Sequence, residues 1–516
     1  MPTVSSGGTL NVSSGHTSTG VIVDSGGTLN VLSGGKIITT TDRGIVNVFG
    51  GGLASVTRVS SGGTESVDPG GTNVATTIRN GGVESVVGAL LGAAVDRNAT
   101  ISSGGTQIVG FAGVVFATAI DGGAIQIVSA GGLASGATVA GGLQFISGGE
   151  ASNTTVTNNG EVDVFSAGLA FNATAKAGGR FFVQSGGFAS STVVKSGGDE
   201  TVGAGGTASG VVVSSGGTFE WFGSNPIVGG AQFRSGATVA VGSGYVFSGS
   251  VSGGITELIF FGGTARGSTV SGATQIVQGG GLATSTTVSK GGNQVVLAFG
   301  TAMTAVIDSG GTQVVAFGGR AGGVTISSGG REIVSGAVEA IFVLPGGEQD
   351  VGHGGTAEDI IVSGTGKVAA GGVVFADFGT LIFSGGKEIV GSGGTTSGIA
   401  VLSGGTEAVS AGGTAVGTGI EAGGQERVSS GGKSLATVVS SGGTEIVLFG
   451  GSAAAARSAA AAGTLPITLG TAATAALFGH YIAGSLLAGT RAYGCGLAVE
   501  AAASAGQPPH LTPPHG

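Results

Sequence analysis

The chain is short of the residues that most often carry chemistry or cross-links. It has one cysteine, Cys495, so there is no internal disulfide framework and the redox compartment stays open. The five histidines, at 16, 353, 480, 510 and 515, show no metal-ligand spacing. Lys and Arg together number 19 and never stand side by side. With a formal net charge of −9 and a pI near 5.0, no basic patch is available to contact phosphates, which argues against nucleic acid as a partner. There are only nine prolines and no G-x-y period, so collagen is excluded. Charged residues make up 9% and hydrophobic residues 41%, the reverse of a disordered profile.

What the chain has in abundance is glycine, 114 of 516 residues, and the glycines are periodic. A double-glycine signal, typically SSGGT or DSGGT, returns about every nineteen residues. It stands at Gly7-Gly8, Gly26-Gly27, Gly62-Gly63 and Gly81-Gly82, and late in the chain at Gly385-Gly386, Gly404-Gly405, Gly423-Gly424 and Gly442-Gly443. Self-similarity at this period marks a repeat architecture. Four residues past the second glycine stands a β-branched residue, as at Val67, Val86, Val390, Val409, Val428 and Val447. Two residues past it a Glu or Gln is common: Glu65, Glu84, Gln107, Gln313, Glu332, Glu388, Glu407, Glu426 and Glu445. A second apolar position, fifteen past the glycine, holds Val23, Ile78, Ile120, Val194, Ile326, Val401, Ile420 and Val439.

The unit therefore reads strand, Gly turn, strand, Gly turn. It cannot bury its own apolar side and must stack on its neighbours. Nineteen residues leave no room for a helical crossover, so each repeat makes one turn of a coil paired in parallel with the turns above and below. Val and Ile fill interior columns, and most Glu, Gln, Ser and Thr lie outside. Glu and Val two apart on one strand would share a face; a Glu placed at the corner, where the chain bends out of the glycine pair, avoids this. Some two dozen turns at about 4.8 Å each make a rod on the order of 110 Å long.

VSSGGTEIV at 439–447, with GGFASSTVV at 186–194 and GGLATSTTV at 280–288, closely resembles the AIDA-type autotransporter passenger repeat, over about residues 5–453. The resemblance implies an all-β fold, a right-handed parallel β-helix (solenoid) of about 19-residue repeats. It also implies a bacterial surface or secreted structural protein acting in adhesion, self-association or biofilm formation. The partners implied are other copies of the rod, or surface glycans and proteins, and a glycosyltransferase that modifies Ser and Thr. The location implied is the cell surface, outer-membrane-associated.

Two segments follow: a repeat domain over 1–453 and an Ala/Gly-rich apolar tail over 454–516, read as a cap or remnant. The first fifteen residues enter the repeat at once, with no charged n-region or apolar h-region, so no signal peptide is expected. About 63 residues past the last repeat are too few for a translocator barrel. No residue between Arg457 and Arg491 carries a full charge, but Gly, Thr, Ser, Pro466 and His480 dilute that stretch, so no convincing transmembrane segment results.

The catalytic inventory is empty: no catalytic, cofactor-binding or metal-binding residue can be named, no cofactor is implied, and the protein reads as a non-enzyme. No calcium-binding nonapeptide and no phosphate-loop GK[ST] occurs. Stacking sets Glu388, Glu407, Glu426 and Glu445 about 5 Å apart, the separation of a glycosidase pair. A column that repeats turn after turn is instead expected to be a solvated surface, able to zip two rods together. Asp350, His353, Glu358 and Asp359 read as a surface loop. The spacing slips near 88–101 and 217–275, where specificity is expected. The second segment holds Trp221, Phe219, Phe222, Phe233, Phe247, Phe260 and Phe261, and Trp221 falls at the inward fourth position with most of the Phe residues stacked internally. The alternative function places a glycan-binding or glycan-active groove, pectate-lyase-like, near 217–275.

Overall fold

The computed structural model describes residues 1–224, 230–375, 379–448 and 450–458, together with the backbone of four strands between 464 and 501. The chain forms a parallel β-solenoid of about 23 turns with no helix among the described residues. It divides into two compact units, the first of residues 1–245 with 254–256, the second of 246–253 with 257–516.

Each coil carries three strands rather than the expected two. In the first unit one coil runs through a long strand Thr64–Val67, a middle strand Thr72–Val74 and a short strand Thr77–Ile78. Equivalent strands of successive coils pair in parallel and in register: Glu65 lies beside Glu84, Val67 beside Val86, Asn73 beside Ala54 and Ile78 beside Val59. The second unit repeats the plan, with Glu388 beside Glu407 and Val390 beside Val409.

The extra strand comes from a sharp bend twelve residues past the second glycine. Gly20, Thr39, Val56 and Ala75 stand there in four successive coils, all with φ between 57° and 70°. A single left-handed residue turns the chain between two faces. Its strain is tolerated because the stack captures the freed amide: Thr39, Val56 and Ala75 each donate an N–H to the next coil, on Ser55, Val74 and Arg97, at 2.8–3.0 Å.

The two glycines of the pair are needed for different reasons. Gly81 has φ +83°, a conformation open to glycine and strained for other residues. Gly82 has ordinary φ, but a Cβ there would stand 2.7 Å from the carbonyl oxygen of Val59 in the preceding coil. The first glycine sets the turn and the second lets adjacent coils approach.

Val and Ile fill two inward columns, with Val67, Ile78, Val86, Ile101 and Val109 all fully buried, each worth roughly 1.5–3 kcal/mol. The step of 23 residues after Gly82 is absorbed by an insertion at 88–93. Its Ala89–Gly92 bridge projects Leu90 and Leu91 into solvent, and the stack resumes in register with Glu84 beside Gln107. Beyond 453, Thr464–Ile467 pairs in parallel with Thr444–Val447, and Gly494–Ala501 runs antiparallel to it and to Ala483–Arg491. No helix among the described residues is long and apolar enough to cross a membrane.

Gly82→Ala is expected to cost about 2 kcal/mol or more, whereas Gly81→Asn, which tolerates the left-handed region, costs under about 1 kcal/mol. Chemical-denaturation midpoints of the two variants check this; equal losses would show that backbone conformation alone, and not the approach of the coils, demands the second glycine.

Candidate functional surface

The Glu/Gln column lies inside the solenoid, not on its surface. Glu65, Glu84, Gln107, Gln126 and Gln144 in the first unit are fully buried, as are Gln294, Gln313, Glu332 and Glu407 in the second. The corner placement fails because the long strand is unbroken: Glu and Val two apart do share a face, and that face points inward. The residues between them, such as Ser66 and Ile446, face outward and are half-buried. A Thr just past the left-handed bend is also interior, as at Thr57, Thr76, Thr154, Thr192 and Thr437.

Amides suit this position because a side-chain amide both donates and accepts along the stack. Gln126 donates to Gln107 and Gln144 to Gln126, both at 2.7 Å, while Gln294 donates to Gln275 at 2.6 Å and Gln313 to Gln294 at 2.5 Å. Carboxylates at the end of such a ladder accept from it, as Glu84 does from Gln107 at 2.7 Å and from Asn73 at 2.8 Å.

Between residues 388 and 445 the column is glutamate in four successive coils. Glu407 accepts from Thr396 at 2.7 Å and from Thr418 at 2.8 Å, and Glu426 from Thr437 at 3.1 Å. Among the described residues, one oxygen of Glu388 and one of Glu426 find no hydrogen-bond partner. Two stacked carboxylates offer each other only acceptors, so the neutral form of each is favoured. Burial, joined by repulsion from Glu407, accordingly pushes Glu388 up to about 8. Burial raises Glu426 well above the usual range, with repulsion from Glu407 and Glu445 adding to it, and takes Glu445 to about 7. In the first unit burial and repulsion from Asp42 and Asp96 raise Glu65 to about 8. These carboxyls are buried core groups whose surroundings favour the neutral form, not a solvated surface zipper.

Of the sequence-singled residues, Trp221 and Phe219 are buried and form an aromatic plug in the first unit. The Trp221 ring lies 4.5 Å from that of Phe219, 6.0 Å from Phe233 and 5.0 Å from Tyr245, on which it stacks. Phe222, Phe233, Phe247 and Phe260 are half-buried, and Phe261 is 77% exposed. Residues 225–229 of that segment lie outside the described residues, as does Phe449. Asp350 bonds Arg331 and lies 3.7 Å from Lys367, itself 3.7 Å from Glu348, in an exposed ion network on the long-strand face. His353 sits in the following turn. Among the described residues no group of His, Cys, Asp and Glu could hold a metal.

Sequence reasoning missed a cleft of about 380 Å³ on the outer face of the middle strands in the second unit. It spans five successive coils, whose strands Thr301–Met303, Arg320–Gly322, Ala337–Glu339, Thr356–Glu358 and Val373–Phe375 pair in register. Gly322 lies beneath two of its lining side chains: a Cβ there would stand 3.2 Å from Glu339 Cγ and 3.3 Å from Met303 Cε. Arg320 and Glu339 are exposed along it, and Phe375 is half-buried. On the turns that lead into the first two strands, Phe299 and Phe317 are 82% and 79% exposed. Position six past the glycine, where Phe317 stands, is thus a turn edge and not a core column. A signal did exist: glycine intervals here run 17 from Gly330 to Gly347, 17 to Gly364 and 22 to Gly386.

Residues 140–198 match a protein family described as adhesin of bacterial autotransporter system, probable stalk. That match falls within the stacked coils of the first unit. Among solved structures, the chain is similar to a TibC-catalysed, hyper-glycosylated fragment of TibA. Identity is 28%, over 64% of this chain and 94% of that one, at a TM-score of 0.30. No curated protein matches.

Replacing Glu388, Glu407, Glu426 and Glu445 together by Gln tests the buried ladder. A carboxyl neutral in the fold but ionised in the unfolded chain keeps its full stabilising contribution below the ordinary range near 4.5. It loses about 1.4 kcal/mol per pH unit as pH rises from there towards its raised value of about 7 to 8. The wild-type denaturation midpoint is expected to fall between pH 5 and 8 and the quadruple variant's to fall less, leaving the variant more stable at pH 8. Parallel pH profiles for the two proteins would place the carboxyls in water.

Proposed function

We propose that the chain is the stalk of a cell-surface adhesin-like passenger, a structural protein that acts in adhesion and self-association and so in biofilm formation. The observation that carries this reading is the stack itself. Successive coils repeat one side-chain pattern on each outer face, while the polar groups that recur most regularly are consumed inside. Such a repeat builds and displays surface. The match to an autotransporter stalk family over residues 140–198 supports the same reading.

Self-association cannot use the Glu/Gln column, which is interior. It falls instead to outward Thr, Ser and Asn, which already stack as exposed ladders; Asn30 donates to Asn11 at 2.8 Å and Asn47 to Asn30 at 2.9 Å. Hydroxyls on these faces and in the turns are also the acceptors that a glycosyltransferase would modify.

The chain displayed on a non-adherent bacterial cell is expected to make the culture settle and coat an abiotic surface, and purified protein added in excess is expected to inhibit both. Cells that stay dispersed at full surface expression would exclude the adhesive reading. Intact-mass analysis of protein from its own host is expected to show added hexose- or heptose-sized increments; an unmodified mass would remove the glycosyltransferase.

A further inference from the structure

The 301–375 cleft is lined by Arg320, Glu339, Glu358, Thr301 and Thr356 beside Met303 and Phe375. We infer that it binds a short neutral oligosaccharide, with Arg320, Glu339 and Glu358 addressing hydroxyls and Phe299 and Phe317 offering stacking faces at the rim. The inference rests on the chain being surface-displayed and names a ligand class for one place on it.

Four observations select this occupant. At about 380 Å³ the cleft falls within the range of small-ligand sites, and its five stacked strands extend it over roughly 19 Å, an elongated shape suited to a chain of rings. Its lining mixes a guanidinium, two carboxylates and the hydroxyls of Thr301 and Thr356 with the apolar surfaces of Met303 and Phe375. That combination hydrogen-bonds donors and acceptors alike, whereas a polyanion would face both Glu339 and Glu358. An extended peptide is disfavoured for a separate reason. Every strand from Arg320–Gly322 to Thr356–Glu358 is paired on both sides, so no free edge remains for strand addition.

The fourth observation is a pair of exposed aromatics on the turns that lead into the first two strands. Phe299 precedes the Thr301 strand by two residues and Phe317 precedes the Arg320 strand by three, both with their rings in solvent. The coil that begins at Gly330 has a shortened turn at Ser335-Gly336, and the Phe317 ring comes to rest over Gly354, whose Cβ would stand 3.5 Å from its Cδ2. An aromatic face held in water offers its negative π surface to the polarised C–H groups of a sugar ring.

The test is direct binding to the purified full chain, by calorimetry and by retention on a printed array. The probes are neutral tri- to pentasaccharides of glucose, galactose, mannose and N-acetylglucosamine, beside oligogalacturonate and an oligolysine peptide. At least one neutral oligosaccharide is expected to bind with a Kd of about millimolar or tighter. Arg320→Ala, the pair Phe299→Asn with Phe317→Ser, and the filling variant Gly322→Leu are each expected to weaken it about tenfold or more. Phe111→Ser, an exposed aromatic of the first unit, is expected to leave it unchanged. The Arg and Phe changes are at exposed positions, so the test stands even if Gly322→Leu fails to fold. Binding by none of the neutral sugars, binding by the anionic or peptide probe alone, or neutral binding that survives all three variants would overturn the inference. Cells that still settle when displaying the cleft variants, with no sugar bound by the parent, would reject the cleft and leave the adhesive reading standing.

Discussion

Everything in this protein depends on in-register repetition of a side chain that must bond with its own copy one coil away. Parallel stacking sets identical positions about 4.8 Å apart, so an interior polar group meets the same group above and below. An amide satisfies that condition wherever the next coil also carries an amide, as the Gln126–Gln107 and Gln313–Gln294 contacts show. A carboxylate does not; of the glutamates from 388 to 445, Glu407 borrows hydroxyls from Thr396 and Thr418 and Glu426 from Thr437, and burial favours the protonated form of all four. The Val columns supply most of the burial. The polar column fixes register, because a slip of one residue along the strand would leave amides facing apolar neighbours.

The period, the parallel coil and the Val and Ile columns were legible from glycine spacing alone, because each follows from residues that recur at fixed offsets. The side of the wall on which Glu stands was not. Hydropathy assigns a charged residue to water, and only the unbroken long strand, which fixes Glu65 and Val67 to one face, overrides that assignment. The third strand was hidden for a similar reason. The bend that creates it is made by Thr39, Val56 and Ala75 as readily as by Gly20, so no residue type announces it.

The 301–375 cleft lies outside the segments to which irregular spacing and aromatics point. Trp221 drew the reading to 217–275, where it packs internally against Phe219, Phe233 and Tyr245. The cleft lies where coils are shortened. The turn at Ser335-Gly336 takes residues away from the coil that carries Ala337 and Glu339 of the lining. Insertions such as 88–93 catch the eye in a sequence; deletions of two residues from a nineteen-residue period do not.

The protonated core also changes what the charge of the molecule means. A formal charge of −9 counts every carboxyl as ionised. Asp42, Glu65, Glu200, Glu257, Glu332, Glu388 and Glu445 all hold their protons to about 7 or 8, and Glu84 and Glu426 are raised well above the usual range. In mildly acidic surroundings the folded chain therefore carries little net charge, although its sequence reads as acidic. Long-range repulsion between copies is weak there. A protein whose proposed work is to bring surfaces together thus keeps much of its formal acidity as uncharged carboxyl inside the coil.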